Sequence, residues 1–302
     1  MSSFKDLLPE SLRAQVRQHP AWRRYSSRRE AVKLATSSKR LDLCAAQMAH
    51  LLHTSGVRGL RGRTCLELGS GQVIGYALIC HLLGAERIMA TDITPLAAPF
   101  ALGYALHDST AYIVRDVLSP FEDHHQIRHR LDRLLAITEW TFESLLEIGI
   151  EYRAPCDLAL SPLGMPIDFA YSFSVLEHVG LADVENLLRN VAEDLTPGGA
   201  MAHAIHLEDH KDSARDPFAF LGESTFSSAE EAERGNRLRK SKWLEILSRI
   251  EDVESRLFYE WSRPDAPLPA CISMDLAYVD EPDLRVSHVG VISRKRLSVH
   301  VS

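Results

Sequence analysis

The chain has 302 residues, 45% of them hydrophobic, a composition that suits one large α/β domain with insertions. Its formal net charge of −7 argues against nucleic acid as the default partner, since phosphate binding needs a basic surface. Five scattered cysteines (Cys44, Cys65, Cys80, Cys156, Cys271) form no Cys-x-x-Cys pair, so neither a disulfide framework nor a zinc site is expected, and a reducing cytoplasm is. The polar start and the lack of a membrane-length apolar run predict no signal peptide and no membrane partner.

Residues 1–58 read as a helical extension. Arg13, Arg17, Arg23, Arg24, Arg28, Arg29, Lys33, Lys39 and Arg40 outnumber the acids Asp6, Glu10 and Glu30. Residues 41–52 then present an apolar helical face through Leu43, Met48, Leu51 and Leu52. A solvated charged face explains the basic pattern, and so does a lid whose arginines meet an anionic substrate.

Residues 64–68 (Thr-Cys-Leu-Glu-Leu) suit a buried strand, broken at once by Gly69-Ser70-Gly71. Residues 73–83 have helical spacing and stop at Gly84. A strand, a glycine turn and a helix bring backbone N–H groups close to a ligand. A dinucleotide fingerprint would need its third glycine one place before Gly75, and Glu67 would repel a pyrophosphate there. A cationic ligand would be favoured instead, and S-adenosylmethionine carries a positive ammonium and sulfonium. Residues 87–91 form a second strand with Asp92 at its tip. That acid suits two roles, an acceptor for ribose hydroxyls or an N-cap for a helix over 95–106.

Glu67-Leu68-Gly69-Ser70-Gly71 resembles the first motif of class I S-adenosylmethionine-dependent methyltransferases, with Val73 where that family usually carries another glycine. After the apolar run 169–173, Ser174-Val175-Leu176-Glu177-His178-Val179 resembles the fourth motif, in the branch called methyltransferase type 11. Leu195-Thr196-Pro197-Gly198-Gly199-Ala200, ahead of a strand over 201–207, is a third match, and the resemblance spans about residues 60–209. It implies a Rossmann-like seven-stranded doubly wound α/β sheet over residues 59–302, closed by strands at 253–261 and 286–293. It implies S-adenosyl-L-methionine as cofactor, held by Glu67, Gly69, Ser70, Gly71, Asp92, Ile93, Asp157, Leu158 and Ser174. Asp157 and Leu158 take the adenine-contact position; Asp116, in Val-Arg-Asp-Val, mimics that motif and is read as a decoy.

Two insertions depart from a minimal domain. Residues 109–148 carry a long amphipathic pattern through Ile127, Leu131, Leu134, Leu135, Trp140, Phe142 and Leu146, read either as a sheet cover or as a cap walling a substrate pocket. Residues 210–240 carry Phe218, Phe220, Leu221 and Phe226, which fit a core stripe and a pocket floor equally well.

Methyl transfer needs alignment and, for a neutral acceptor, a base. His206 and His210 at the end of the fifth strand are the base candidates, with His178 a third and His203 expected in the core. A metal site from His206, Asp209 and His210 lacks a partner ligand of convincing spacing, so no metal is expected. The reading is a cytoplasmic methyltransferase acting on a small molecule, with oxygen the favoured acceptor. Aminopropyl transfer, cyclisation on the same scaffold and a non-catalytic binding subunit stay open as alternatives. So does the oligomeric state, a homodimer included.

Overall fold

The computed structural model describes residues 20–37 and 39–297, with side chains from residue 26 onward. Arg13, Arg17 and the side chains of Arg23 and Arg24 fall outside that range. Thr64–Leu68 (β1) and Arg87–Thr91 (β2) bury their apolar side chains on both faces, as strands inside a parallel sheet do. Ile150–Arg153 (β3), Ile167–Phe173 (β4), Leu195–His206 (β5), Val253–Ser262 (β6) and Val286–Lys295 (β7) complete one sheet of order β3-β2-β1-β4-β5-β7-β6. β1 to β5 run parallel, and β7 pairs antiparallel with both β5 and β6. This is the doubly wound, seven-stranded sheet that the motifs lead one to expect.

Each face of the sheet has its own apolar layer. On one lie Pro20–Thr36 (α1), Arg40–Ser55 (α2), Gly75–Leu82 (α3) and Phe100–Asp108 (α4). Leu41, Cys44, Met48 and Leu52 of α2 are fully buried there, so the extension is part of the core, while Leu43, expected on that apolar face, points outward. The first insertion joins this layer as Ala111–Leu118 (α5), His124–Leu135 (α6) and Phe142–Glu147 (α7). Val114, Leu118, Ile127, Leu131 and Leu134 pack into it, and Arg61 and Arg130 pair with the buried Glu122. The long amphipathic pattern is divided between α6, which ends at Leu135, and α7, which Thr141 caps through a reciprocal pair with Ser144. The insertion therefore thickens the helical layer, with α5 and α6 packed on its helices and α7 against β3, and it lines neither of the two cavities described below.

On the opposite face Leu181–Asp194 (α8) supplies Val184, Leu188 and Val191. The second insertion closes with Ser228–Arg234 (α9), and Lys240–Ser248 (α10) follows with the fully buried Trp243. Burying a side chain of this size contributes about 1.5–3 kcal/mol. Phe218, Phe220 and Leu221 form a separate small core with Ala266, Leu276 and Leu284, so the aromatic stripe packs there rather than flooring a pocket.

Arg239, immediately before α10, is 1% exposed. Its guanidinium donates to the carbonyls of Leu207 at 2.7 Å and Leu284 at 3.1 Å, and also to Val286. Burial lowers its pKa to about 10, which leaves it cationic at neutral pH. Arg239→Leu strands those carbonyls without donors and should cost about 3 kcal/mol or more. Urea unfolding checks this; a midpoint equal to that of the parent would show that the carbonyls find other partners.

Candidate active site

The carboxyl ends of β1, β2, β4 and β5 open onto two cavities, where open α/β sheets bind ligands. The first, about 240 Å³, is bordered by Gly69, Asp92, Ile93, Asp157, Leu158 and His178. Gly69 has φ +67°, and a Cβ there would lie 2.6 Å from Val175 Cγ2, so only glycine lets β1 turn against the end of β4. Asp92 bridges two loops: one carboxylate oxygen accepts from Gly71 N–H at 2.9 Å and the other from Thr94 N–H at 3.0 Å. The helix after it begins only at Phe100, so Asp92 is no N-cap. Ile93, 66% exposed, offers an apolar surface beside it. Asp157 accepts from Ala159 N–H, and the Asn190 amide holds the Leu158 carbonyl. Asp116 lies on α5, its side chain 61% exposed and remote from this cavity.

Three of the expected cofactor residues border neither cavity: Glu67, Ser70 and Gly71. Gly71 acts through its N–H on Asp92. Ser70 is tied by its own N–H to the Thr91 carbonyl. Glu67 is 2% exposed and points into the sheet layer, where its carboxylate accepts from the Tyr171 hydroxyl at 3.4 Å. Burial lifts its pKa to about 8 against the opposing pull of Tyr171. Burial thus opposes the ionised form on which the electrostatic reading of Glu67 relied.

The second cavity, about 400 Å³, has aromatic walls. Tyr259 and Trp261 on β6 stack with centroids 5.0 Å apart, and His50 of α2 tilts against both. Tyr76 and Phe173 stack at 4.1 Å on the other side, next to Ser174 and Arg40. The extension thus reaches the site through α2.

The expected histidines separate. His203 is buried, paired with Ser172 Oγ at 2.8 Å, and desolvation lowers its pKa to about 3, so it stays neutral in the core. His178 borders the first cavity and donates from Nδ1 to the Ala232 carbonyl at 2.8 Å. His178 lies in a short turn, Leu176–His178, ahead of α8. His210 stands 4.5 Å, ring to ring, from both His178 and His206. His206 borders neither cavity; its Nε2 bonds Glu208 at 2.8 Å, and Glu208 also accepts from Arg263 at 3.0 Å. Two histidines border the second cavity, His50 and His288, and His288 stacks on His206 at 4.3 Å. The antiparallel register places it opposite His206. The sequence signal for it was the alternation over 286–293, which marks a strand but not its register.

No protein-family model matches the chain, and no curated protein is similar to it. Solved structures are. An S-adenosylmethionine-dependent methyltransferase from Mesorhizobium loti is 18% identical, with a TM-score of 0.45 over 82% of this chain and 98% of that one. The N-methyltransferase NodS from Bradyrhizobium japonicum WM9, in complex with S-adenosyl-L-homocysteine, is 12% identical, with a TM-score of 0.44 over 90% and 97%. At such identities and TM-scores the likeness goes no further than the fold.

Glu67 yields a test in stability. Its pKa is raised from 4.5 to about 8, so the stability held by its protonated form is complete below 4.5 and is lost as pH rises through 8. The loss amounts to roughly 4 kcal/mol across that window. Glu67→Gln should therefore gain stability relative to the parent between pH 5 and pH 8.5 in urea unfolding. Parallel pH profiles for the two proteins would contradict this account.

Proposed function

We propose that this protein is an S-adenosylmethionine-dependent methyltransferase whose acceptor is a small, ring-bearing molecule methylated on oxygen. The observation that carries the reading is the pair of cavities on either side of Ser174 and Val175. One presents groups suited to a nucleoside, the other presents aromatic walls. Asp92 supplies carboxylate oxygens at the position for ribose hydroxyls, Ile93 an apolar surface for adenine, and Asp157 an acceptor for its amino group. The left-handed glycines keep the backbone low enough for a ligand to lie across it. When bound, the cofactor supplies a sulfonium methyl group for in-line displacement by an acceptor atom.

The chain's own residues then bind and orient the acceptor. Tyr259 and Trp261 offer faces for a flat ring, and Arg40 a cation for an acidic group on it. Of the two histidines on that cavity, His50 tilts against Tyr259 and Trp261, and His288 is assigned the acceptor's proton. The Ser287 hydroxyl donates to the Trp261 carbonyl at 3.0 Å, so its oxygen accepts from His288 Nδ1–H at 3.2 Å. That leaves the Nε2 lone pair free. Burial lowers the His288 pKa to about 4, which keeps the ring neutral at neutral pH while weakening it as a base. His206, fixed by Glu208, supports it from behind.

Titration calorimetry with S-adenosylmethionine tests the cofactor half. Asp92→Ala should lose about 1.5–3 kcal/mol of binding, the usual loss for a hydrogen bond to a charged group, while Asp116→Ala binds as the parent does. An Asp92→Ala protein of undiminished affinity would remove Asp92 from the ribose position. Product mass tests the chemistry: a gain of one methylene unit marks methyl transfer, and any other increment points to aminopropyl transfer or cyclisation. With an acceptor in hand, His288→Ala should lower turnover by roughly 10²–10⁴-fold at nearly constant cofactor affinity. Full turnover in that variant would return the base role to His206 or His210.

A further inference from the structure

We propose that Glu177, His178 and His210 bind a divalent transition-metal ion of the Zn(II) or Co(II) kind. One donor atom from each lies within 4.8 Å of the other two. His210 Nε2 stands 3.7 Å from Glu177 Oε1, too long for a hydrogen bond and close to the ~3.4 Å edge between two ligands about 2.1 Å from a tetrahedral ion. Two imidazoles and a carboxylate are a donor set of borderline softness, which suits such ions rather than calcium or magnesium.

Two further observations point into the same spot. Glu177 is 1% exposed, and its Oε2 has no hydrogen-bond partner among the described residues. His210 Nε2, which faces the same carboxylate, is likewise buried and unpartnered. Among the described residues the ion-pair partner of Glu177 is His210 alone, a ring that is cationic only when protonated. A buried carboxylate and an orphaned imidazole nitrogen aimed at each other are both satisfied by a cation between them.

The surroundings are those of a metal site as well. His178 donates its Nδ1–H to the Ala232 carbonyl, which fixes the tautomer and leaves Nε2 as the donor toward an ion. The His206 N–H donates to Glu177 Oε1 at 3.3 Å and orients that carboxylate. The Asn236 side chain donates to the Leu176 and Val179 carbonyls and pins the turn carrying Glu177 and His178. The His210 N–H is held by the Arg234 carbonyl, and Arg234 itself clasps Asp209. A second cluster, His206, Glu208 and His288, is different in kind. There His206 Nε2 and Glu208 already bond one another and Glu208 accepts from Arg263, so that group supports the site rather than forming another.

With three protein ligands the ion keeps a position for an oxygen of water or substrate. His178 borders the nucleoside cavity, and His210 leads through His206 to His288 at the aromatic one. On the methyltransferase reading above, on which this last step rests, the open position faces an oxygen-bearing acceptor.

The test uses tag-free, full-length protein, dialysed against a chelator and titrated with Co(II) alone. Visible d–d absorption and equilibrium dialysis should show one Co(II) per chain, displaced by Zn(II). Glu177→Gln and His210→Ala should each weaken binding by on the order of 100-fold, at least the effect of losing an outer-shell partner. His125→Ala, on the exposed face of α6, should leave it unchanged. Absence of stoichiometric Co(II) in the parent overturns the proposal, and so does parental affinity in both folded variants. If Glu177→Gln does not fold, as judged by circular dichroism, His210→Ala on its loop decides. The titration contains no cofactor, so failure to bind S-adenosylmethionine would count against the methyltransferase reading and leave the metal result standing.

Discussion

One buried guanidinium fixes the geometry on which the site depends. Arg239 binds carbonyls from the residue that follows β5 and from those that open β7, and so joins the ends of two antiparallel neighbours. Loop carbonyls leaving a sheet have no ladder partners, and burying them bare is costly. A neutral side chain has too few donors for the task, whereas arginine has five in a fixed fork. The ladder between those strands sets His206 opposite His288, and their stacked rings connect the histidine row to the aromatic cavity. Desolvation of Arg239 is severe enough to depress its pKa to about 10, yet with the nearby carboxylates of Asp283 and Glu208 opposing it the side chain stays charged at neutral pH.

The remaining architecture divides labour between layers. The face carrying α1 to α6 is built for burial, with the first insertion thickening it around Glu122 and its two arginines. The second insertion does the positional work. Asn236 and Arg234, with the Ala232 carbonyl, fix the turn and the loop that present Glu177, His178 and His210. Its phenylalanines form a small core that keeps this segment in place.

Much of this was legible in the sequence wherever the signal was local. The strand–glycine–helix run, Asp92 at the tip of β2, and Asp157 with Leu158 after β3 all fell where spacing and motif placed them. The side on which Glu67 lies was not legible, because β1 is buried on both faces, so its alternation does not tell which face a polar residue occupies. The first insertion was legible as amphipathic, but an apolar stripe does not say which surface it will meet. His288 was missed because antiparallel register is a long-range property, set here by pairing with β5, and strand periodicity carries no record of it. The metal-ligand set was incomplete in the sequence for the same reason. Glu177 and His178 lie at the end of β4, far along the chain from His210, and only adjacent parallel strands bring them together.

The turn after β4 concentrates these constraints in five residues. Ser174 sits at φ +51°, a left-handed conformation that a non-glycine residue adopts at a cost of order 1 kcal/mol. Its N–H is taken by the Ala204 carbonyl of β5, so the neighbouring strand holds the unfavourable conformation in place. That kink puts Ser174 on the aromatic cavity, presses Val175 against Gly69 at the end of β1, and aims Glu177 and His178 toward His210. The two cavities therefore meet because one strained residue is held by the strand beside it, and that strand is anchored in turn by Arg239.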